Sequence, residues 1–397
     1  MIIKPRIRGF LCTTAHPAGC AQDVENQINH AESEGVRSDG PKRVLIIGAS
    51  GGYGLASRIS TAFGFGSSTV GVFFERPASG NRTASPGWYK TAAFTEKAKA
   101  KGLYTANING DAFSQAIKDA TCDLIEKDLG QIDLIVYSLA APARQLPDGS
   151  VVRSALKPIG EPFEGSTIDL NSRELKSLSL EPANEEEVSD TIRVMGGEDW
   201  ELWVQALLAR GLLAPGCITT NYTYLGSEVT WPIYHHGTIG KAKEDLDRAQ
   251  SALVDPMASV GGKAHVVVMK GLVTQAASAI PGMSIYLSLL FRAMKKAGTH
   301  EGCIEQTTRF FTTQLYGSGE HRTDEGGRIR MDELELRDDI QQFVADSWPL
   351  VSAETLDDIT DFDGYKQAYL EMHGFEVAGM DYEVEVDPDV SIELQVG

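Results

Sequence analysis

Long apolar runs are missing from this chain. No stretch approaches the ~20 consecutive apolar residues that a membrane-spanning helix needs. Lys4, Arg6 and Arg8 stand near the start, but no apolar run of signal-peptide length accompanies them. The expectation is a cytoplasmic protein with no stable membrane association. Cysteine is sparse: the five residues at 12, 20, 122, 217 and 303 form no Cys-x-x-Cys pair, and their odd number suits reduced thiols. Cys12, His16 and Cys20 are evenly spaced, but no fourth ligand follows at finger spacing. They read as a small apolar cluster, and no metal is expected. Positive charge is in deficit, with 36 Lys and Arg against 55 Asp and Glu and a net charge of −19, which argues against a nucleic-acid partner. Internal repeats and low-complexity tracts are absent as well.

What is present centres on Val44 to Ser60. Val44 to Ile47 are four apolar residues in a row and read as a buried parallel strand. A glycine-rich turn follows, and then a helical pattern with Leu55, Ala56 and Ile59. Glycines at 48, 52 and 54 give the spacing Gly-x-x-x-Gly-x-Gly. Gly48 lets the chain turn off the strand, Gly52 lets the backbone approach a pyrophosphate, and Gly54 lets the helix pack close to the sheet. The free N–H groups and positive dipole end of the helix then face the phosphates. Strand, turn and helix in this order predict a dinucleotide site.

Further strands and helices alternate downstream. Strands are expected at Thr69 to Phe74, Leu103 to Ile108, Ile132 to Ser138, Cys217 to Tyr224 and Ala264 to Met269. Between them helices are expected at Ala93 to Lys101, Ala112 to Lys127 and from about Thr238 or Gly240 to Leu253. This rhythm predicts an α/β fold with a doubly wound parallel sheet, Rossmann-like, as one enlarged domain. Its core would be 43–141 and 216–300. Residues 1–42 would be an N-terminal extension with a short strand at Ile2 to Ile7 and a helix at Val24 to Ala31. Residues 142–215, rich in Pro, Gly and charge, would be an inserted substrate cover with one helix at Asp199 to Arg210. Residues 301–397 would be a C-terminal addition, with helices at Glu301 to Tyr316, Gln341 to Ser347 and Gly364 to Glu371. Its tail, Tyr382 to Leu394, alternates Val and Ile with acids and reads as one or two exposed strands.

Candidate site residues fall at strand ends. Glu75 ends the second strand, where a carboxylate accepts from both adenosine ribose hydroxyls and repels a 2′-phosphate, favouring NAD(H); neighbouring Arg76 works against that choice. Asp111 is placed to meet an adenine edge, or else to cap the helix that follows. Ser138-Leu139-Ala140-Ala141 lets a cofactor lie against the backbone. Gly271-Leu272-Val273-Thr274 offers an N–H and a hydroxyl to a nicotinamide carboxamide. Tyr234 and a lysine downstream, in the fifth βα unit, read as a proton-delivery pair. A free tyrosine titrates near 10, and a lysine cation stabilises its anion and can hold a ribose. The bland alternative pairs Lys241 with Asp245 and Lys243 with Asp247 on an exposed helix face. Met283 to Ala297 is a strongly apolar helix suited to core or to a lipid-facing pocket wall. Its basic end, Arg292, Lys295 and Lys296, is placed for a carrier's phosphates.

Longer strings carry a resemblance. Met-Ile-Ile-Lys-Pro opens the chain, followed by Ala-His-Pro-Ala-Gly-Cys at 15–20, Gly-Tyr-Gly-Leu-Ala-Ser-Arg at 52–58 and Pro-Gly-Trp-Tyr at 86–89. Gly-Asp-Ala-Phe at 110–113, Val-Met-Gly-Gly-Glu-Asp-Trp at 194–200, Gly-Thr-Ile-Gly-Lys-Ala-Lys at 237–243 and His-Glu-Gly-Cys-Ile-Glu-Gln at 300–306 extend it. End to end, the chain resembles the FabV-type enoyl-ACP reductases and the similar trans-2-enoyl-CoA reductases, enlarged relatives of the short-chain dehydrogenases. The resemblance implies a catalytic Tyr-x8-Lys pair at Tyr234 and Lys243, and a substrate contact at Tyr224. It implies cofactor contacts at Gly48, Ala49, Ser50, Gly51, Gly52, Tyr53, Phe74, Glu75, Asp111, Ala112, Leu139, Ala140, Lys243, Leu272, Val273 and Thr274. The implied activity is NADH-dependent reduction of the C2=C3 bond of trans-2-enoyl thioesters carried on acyl carrier protein or CoA, the last reductive step of fatty acid elongation, by a monomer or dimer. A carbonyl or sugar dehydrogenase of the short-chain type is the alternative reading.

Overall fold

The computed structural model describes residues 1–146 and 148–396. Seven strands form its centre: β1 (Arg43–Ile47), β2 (Ser68–Phe73), β3 (Thr105–Asn109), β4 (Ile132–Tyr137), β5 (Leu213–Thr223), β6 (Lys263–Val268) and β7 (Ile329–Arg330). They lie in the order β3-β2-β1-β4-β5-β6-β7, and each pairing is parallel. Winding reverses between β1 and β4, so the doubly wound reading holds and the crevice for a ligand opens beyond the carboxyl ends of those two strands.

A parallel sheet covered on both faces needs apolar residues on both sides of each strand, and β1 supplies them. Leu45 and Ile47 pack with Trp200, Trp203 and Leu246 on one face, while Val44 and Ile46 pack with Phe310 and Phe311 on the other. Helices α1 (Pro17–Ser33), α2 (Gly52–Phe65) and α3 (Pro86–Ala100) share a core with Ile304. Helix α4 (Gln115–Asp128) lies on the opposite side with Trp203.

The inserted stretch holds more structure than its composition predicts. It contains antiparallel hairpins pairing Ala143–Gln145 with Val151–Arg153 and Phe163–Ile168 with Leu175–Leu180, then α5 (Glu185–Met195) and α6 (Glu198–Ala209). Asn184 and Glu187 close a capping box on α5. After β5 come α7 (Thr238–Ala258), α8 (Met283–Ala297) and α9 (Cys303–Arg309), the last widening into a π turn over Phe310–Leu315. Helices α10 (Asp338–Ser347) and α11 (Phe362–Glu371) pack on α8.

Several expected boundaries move. Ile2 to Ile7 is not a strand: Ile7–Arg8 pairs with Leu11–Cys12 around Gly9, at φ 59°. His16 caps α1, its Nδ1 accepting from Gly19 N–H. Helix α3 begins at Pro86, not Ala93, because proline suits a first helical turn and Trp88 and Tyr89 are anchored by the tail. The tail forms no strand over 382–394; it runs as an irregular strap, and only Val396 bridges to Ile108.

Candidate active site

Six sequence-selected positions lie just beyond strand ends on one edge of the sheet: Gly48 after β1, Glu75 after β2, Asp111 after β3, Leu139 after β4, Tyr224 after β5 and Leu272 after β6. A parallel sheet brings them together whatever their separation in sequence. The glycine turn has no room for a side chain at Gly48 or Gly54. A Cβ on Gly48 would lie 1.9 Å from the Ser138 carbonyl oxygen, and one on Gly54 would lie 2.0 Å from that of Gly48. Gly51 has open space, and no side chain caps the α2 N-terminus that it precedes. Gly52, at φ 50°, faces the Thr274 methyl group, so the 272–274 loop closes over the turn. Ala49 donates its N–H to the Val72 carbonyl, which fixes the turn to β2.

Ser50 donates to Glu75 Oε1 at 2.7 Å, and Gly87 leaves space for that carboxylate. Burial raises the Glu75 pKa, and hydrogen bonds from Ser85 and Ser50 oppose the rise. Phe74 beside it is 79% exposed, an open aromatic face at the crevice. Asp111 is not the cap of α4. Ser114 is, accepting from Ile117 N–H, while Asp111 Oδ1 accepts from Phe113 N–H. The Ala112 carbonyl accepts from Lys118 and Trp203, and Lys118 pairs at 2.7 Å with buried Asp199 on α6. The inserted segment thus holds the Asp111–Ala112 turn in place. Leu139 is half-buried and Ala140 exposed, and Leu272 and Val273 are largely buried in the loop that Thr274 ends by capping the short helix Gln275–Ser278. These residues fit a dinucleotide: a close-approach turn, uncapped helix N–H groups and an acid at the ribose position.

Tyr234 lies off the helix. Its N–H donates to the Thr230 carbonyl, its own carbonyl accepts from Gly237 and Gly240, and α7 starts at Thr238. The ring is buried and meets Tyr224 edge-on at 4.9 Å. Among the described residues its hydroxyl has no hydrogen-bond partner. Burial raises its pKa, and the Glu335 carboxylate adds to the rise. Both effects favour the neutral phenol, the form that donates a hydrogen bond.

Lys243, half-buried in the second turn of α7, has no ion-pair or hydrogen-bond partner among the described residues, and burial brings its pKa down to about 8. The expected lysine pairs do not form. Lys241 pairs with Glu244, Asp245 with Arg248, and Asp247 with Arg328 at 2.6 Å. The inserted segment also closes on this turn: Thr238 N–H donates to the Lys157 carbonyl, and Pro158 bridges to Gly237.

Four side chains behind these residues were not singled out by the sequence. Glu335, fully buried on the turn after β7, accepts from Tyr224 at 2.8 Å and Tyr286 at 2.5 Å on Oε1, and from Gly271 N–H at 2.5 Å on Oε2. Lys270, also buried, donates to the Gly271 and Glu301 carbonyls, and burial brings its pKa down to about 8. The Tyr53 hydroxyl lies 2.6 Å from Gln306 Oε1 and 2.9 Å from the Lys270 carbonyl oxygen, so this side chain points toward the 271–274 loop rather than toward the phosphate turn. The Gln306 in the 300–306 string was legible as a motif, whereas Glu335 and Tyr286 carry no spacing signal.

The family model of the trans-2-enoyl-CoA reductase catalytic region matches residues 82–316. The NAD(P)H binding domain of the same enzymes matches 2–80. The enoyl-ACP reductase [NADH] FabV of Aeromonas salmonicida is 54% identical over 395 residues, covering 99% of each chain. The chain belongs to the FabV-type enoyl reductase family. The corresponding enzyme of Edwardsiella ictaluri is also 54% identical, over 99% of each chain. Treponema denticola trans-2-enoyl-CoA reductase, solved with NAD, is 46% identical with a TM-score of 0.94, covering 99% of this chain and 100% of that one. Family membership sets the carbonyl or sugar dehydrogenase reading aside.

A third model, described as an enoyl reductase FAD binding domain, matches residues 323–386. That stretch holds β7 and helices packed on α8, with no glycine turn leading from a strand into a helix. Its residues do not fit a flavin dinucleotide by the criteria that 48–54 meet. What it does contribute to the site is Glu335.

Proposed function

We propose that the family's reaction, NADH-dependent reduction of the C2=C3 bond of a trans-2-enoyl thioester, runs here where the Tyr224–Lys243 segment meets the 271–274 loop. When bound, NADH supplies the hydride that C3 receives. Gly48 to Tyr53 would hold the pyrophosphate through backbone N–H groups. Phe74, Glu75, Asp111 and Ala112 would hold the adenosine, Leu139 and Ala140 the cofactor's middle, and Leu272 to Thr274 the nicotinamide. Negative charge then grows on the thioester oxygen. Tyr234 donates to that oxygen and supplies the proton, through the enol or by relay to C2, with Tyr224 beside it. Lys243 fixes the ribose, and its charge favours the enolate. The observation that carries this reading is the buried Tyr234 hydroxyl, without a partner among the described residues, its ring against Tyr224 on the turn that leads into the helix of Lys243.

Residues 43–141 and 216–300 serve as the dinucleotide core of one enlarged domain, 142–215 as its cover, and 1–42 and 301–397 as additions. The Lys157 and Pro158 contacts to the catalytic turn support the cover role. The thioester is carried on acyl carrier protein or CoA, and the enzyme works as a monomer or dimer in the cytoplasm. No helix among the described residues is long and apolar enough to cross a membrane. The test is NADH oxidation with crotonyl-CoA and a matched enoyl-ACP. Tyr234→Phe should lower kcat by about a hundredfold or more with the fold intact. An unchanged kcat would remove Tyr234 from the mechanism.

A further inference from the structure

We infer that Glu335 is a positioning residue that decides where the hydroxyl proton of Tyr224 points. A phenol carries one proton, and a carboxylate can only accept. With Glu335 ionised, Oε1 receives protons from both Tyr224 and Tyr286, and Oε2 receives the Gly271 N–H. Tyr224 then has lone pairs but no proton to offer the substrate, and Tyr234 is the only one of the two tyrosines that donates.

With Glu335 protonated, a proton on Oε1 has the two tyrosine oxygens as acceptors, while Oε2 keeps the Gly271 N–H. That O–H can donate to the Tyr224 oxygen. The proton of Tyr224 is then free to turn to the thioester oxygen beside Tyr234, whose ring it meets at 4.9 Å. The same carboxyl group ties Tyr224 to Gly271, the first residue of the loop assigned to the nicotinamide. It therefore sets substrate and cofactor contacts against each other. This inference rests on Tyr224 touching substrate, as proposed above.

Glu335 is fully buried, and burial raises its pKa, while Tyr286, Gly271, Lys270 and Tyr224 pull it back. The groups around it are Tyr224 from the end of β5, Tyr286 from α8, Lys270 and Gly271 from the loop after β6, and Tyr234 from the turn before α7. Gln341 of α10 donates to the Glu335 carbonyl and to the Tyr286 hydroxyl. Nearby on its own turn, Glu333 is paired with Arg309 and Arg322 and Asp332 with Arg330, so those carboxylates are engaged elsewhere.

Glu335→Gln tests this with little change of shape. With its oxygen toward Gly271 N–H, the amide places two N–H donors at the two tyrosine oxygens and mimics the protonated acid permanently. The wild-type kcat should fall as pH rises through the Glu335 titration, and that limb should vanish in Glu335→Gln, whose low-pH kcat stays within about threefold of wild type. In the enzyme without substrate, a pH-difference infrared spectrum should show a carboxylic-acid carbonyl band that Glu335→Gln removes. Tyr224→Phe should lower kcat about tenfold or more and lose the same limb, and this variant decides the matter if Glu335→Gln does not fold. A limb kept in Glu335→Gln or in Tyr224→Phe, or no such infrared band, overturns the inference. If Tyr224→Phe leaves kcat unchanged, the substrate role of Tyr224 is what fails.

Discussion

An ammonium group without a carboxylate partner is costly to bury, and Lys243 is such a group. On an ideal helix a residue nine positions from Tyr234 would point about 180° away from it and Lys241, seven positions on, would share its face. Because Tyr234 sits before the helix, that rule does not apply; Lys241 is occupied by Glu244, whereas Lys243 has no partner among the described residues. Lys243→Met should cut kcat/KM about a hundredfold and weaken NADH binding, whereas Lys241→Met should stay within about threefold, as for an exposed pair. The cation is lost as pH rises through about 8. NADH affinity of the free enzyme should therefore fall above that pH, and the fall should be missing from Lys243→Met in a calorimetric titration. The reverse ranking of the two variants would reassign the lysine. Glu75 belongs to the same scale. Its place at a strand end was readable from sequence, but its seat between Ser50 and Gly87 was not, since those contacts cross 25 residues in one case. Glu75→Ala should narrow the preference for NADH over NADPH by about an order of magnitude or more. A wild type with the better kcat/KM for NADPH would mean that Arg76 sets the choice.

Helix α8 shows what periodicity can and cannot convey. Its ends were readable from the apolar run and its basic end, and Met283–Ala297 is the helix observed. Its partners were not. The C-terminal addition covers its far side, Asp361 takes Lys295, and the Asp358 carbonyl takes Arg292, so of the three basic residues only Lys296 remains for a carrier's phosphates among the described contacts. Eleven of its fifteen residues are buried, so the helix has no broad solvent face and its apolar surface is either core or pocket wall. The end near Tyr286 adjoins the site, because Leu287 and Tyr224 both approach Gly271. Ile285→Val and Leu289→Met, each costing about 1 kcal/mol of stability, should shift the ratio of kcat/KM between short and long enoyl thioesters a few-fold. Unchanged selectivity in folded variants would return this stretch to plain core. The inserted hairpins were illegible for a related reason: their strands are short, polar and half-exposed, and they order by docking, as when Ser284 on α8 donates to or accepts from Thr167 and receives the Ile168 N–H.

At the scale of the whole molecule the chain is sewn together by a tail that its own pattern misrepresents. Alternating Val, Ile and acid at 382–394 predicts exposed strands, yet the acceptors and donors of this segment go to distant side chains and to an existing sheet edge. The N-terminal ammonium donates to the Val386 carbonyl at 2.7 Å. Trp88 and Tyr89 donate to the carbonyls of Val390 and Pro388, each at 2.7 Å. Gln395 N–H and the Val396 carbonyl bond to Asn107 and Asn109, which closes the free edge of β3. An unpaired parallel edge is a template for association with another chain, so this strap protects the sheet. It also reaches the site, because the helix it anchors begins at Pro86 and places Gly87 against Glu75. Deleting 388–397 should lower stability by roughly 3–6 kcal/mol, from several lost hydrogen bonds near 1 kcal/mol each. It should also raise the Kd for NADH through a loosened Glu75 seat, and promote concentration-dependent association seen by light scattering. Val390→Ala, which keeps the carbonyl that Trp88 uses, should do far less. A truncated chain with an unchanged urea midpoint and unchanged NADH affinity would show that β3 holds its edge alone and that the seat of Glu75 is set entirely by the glycine turn.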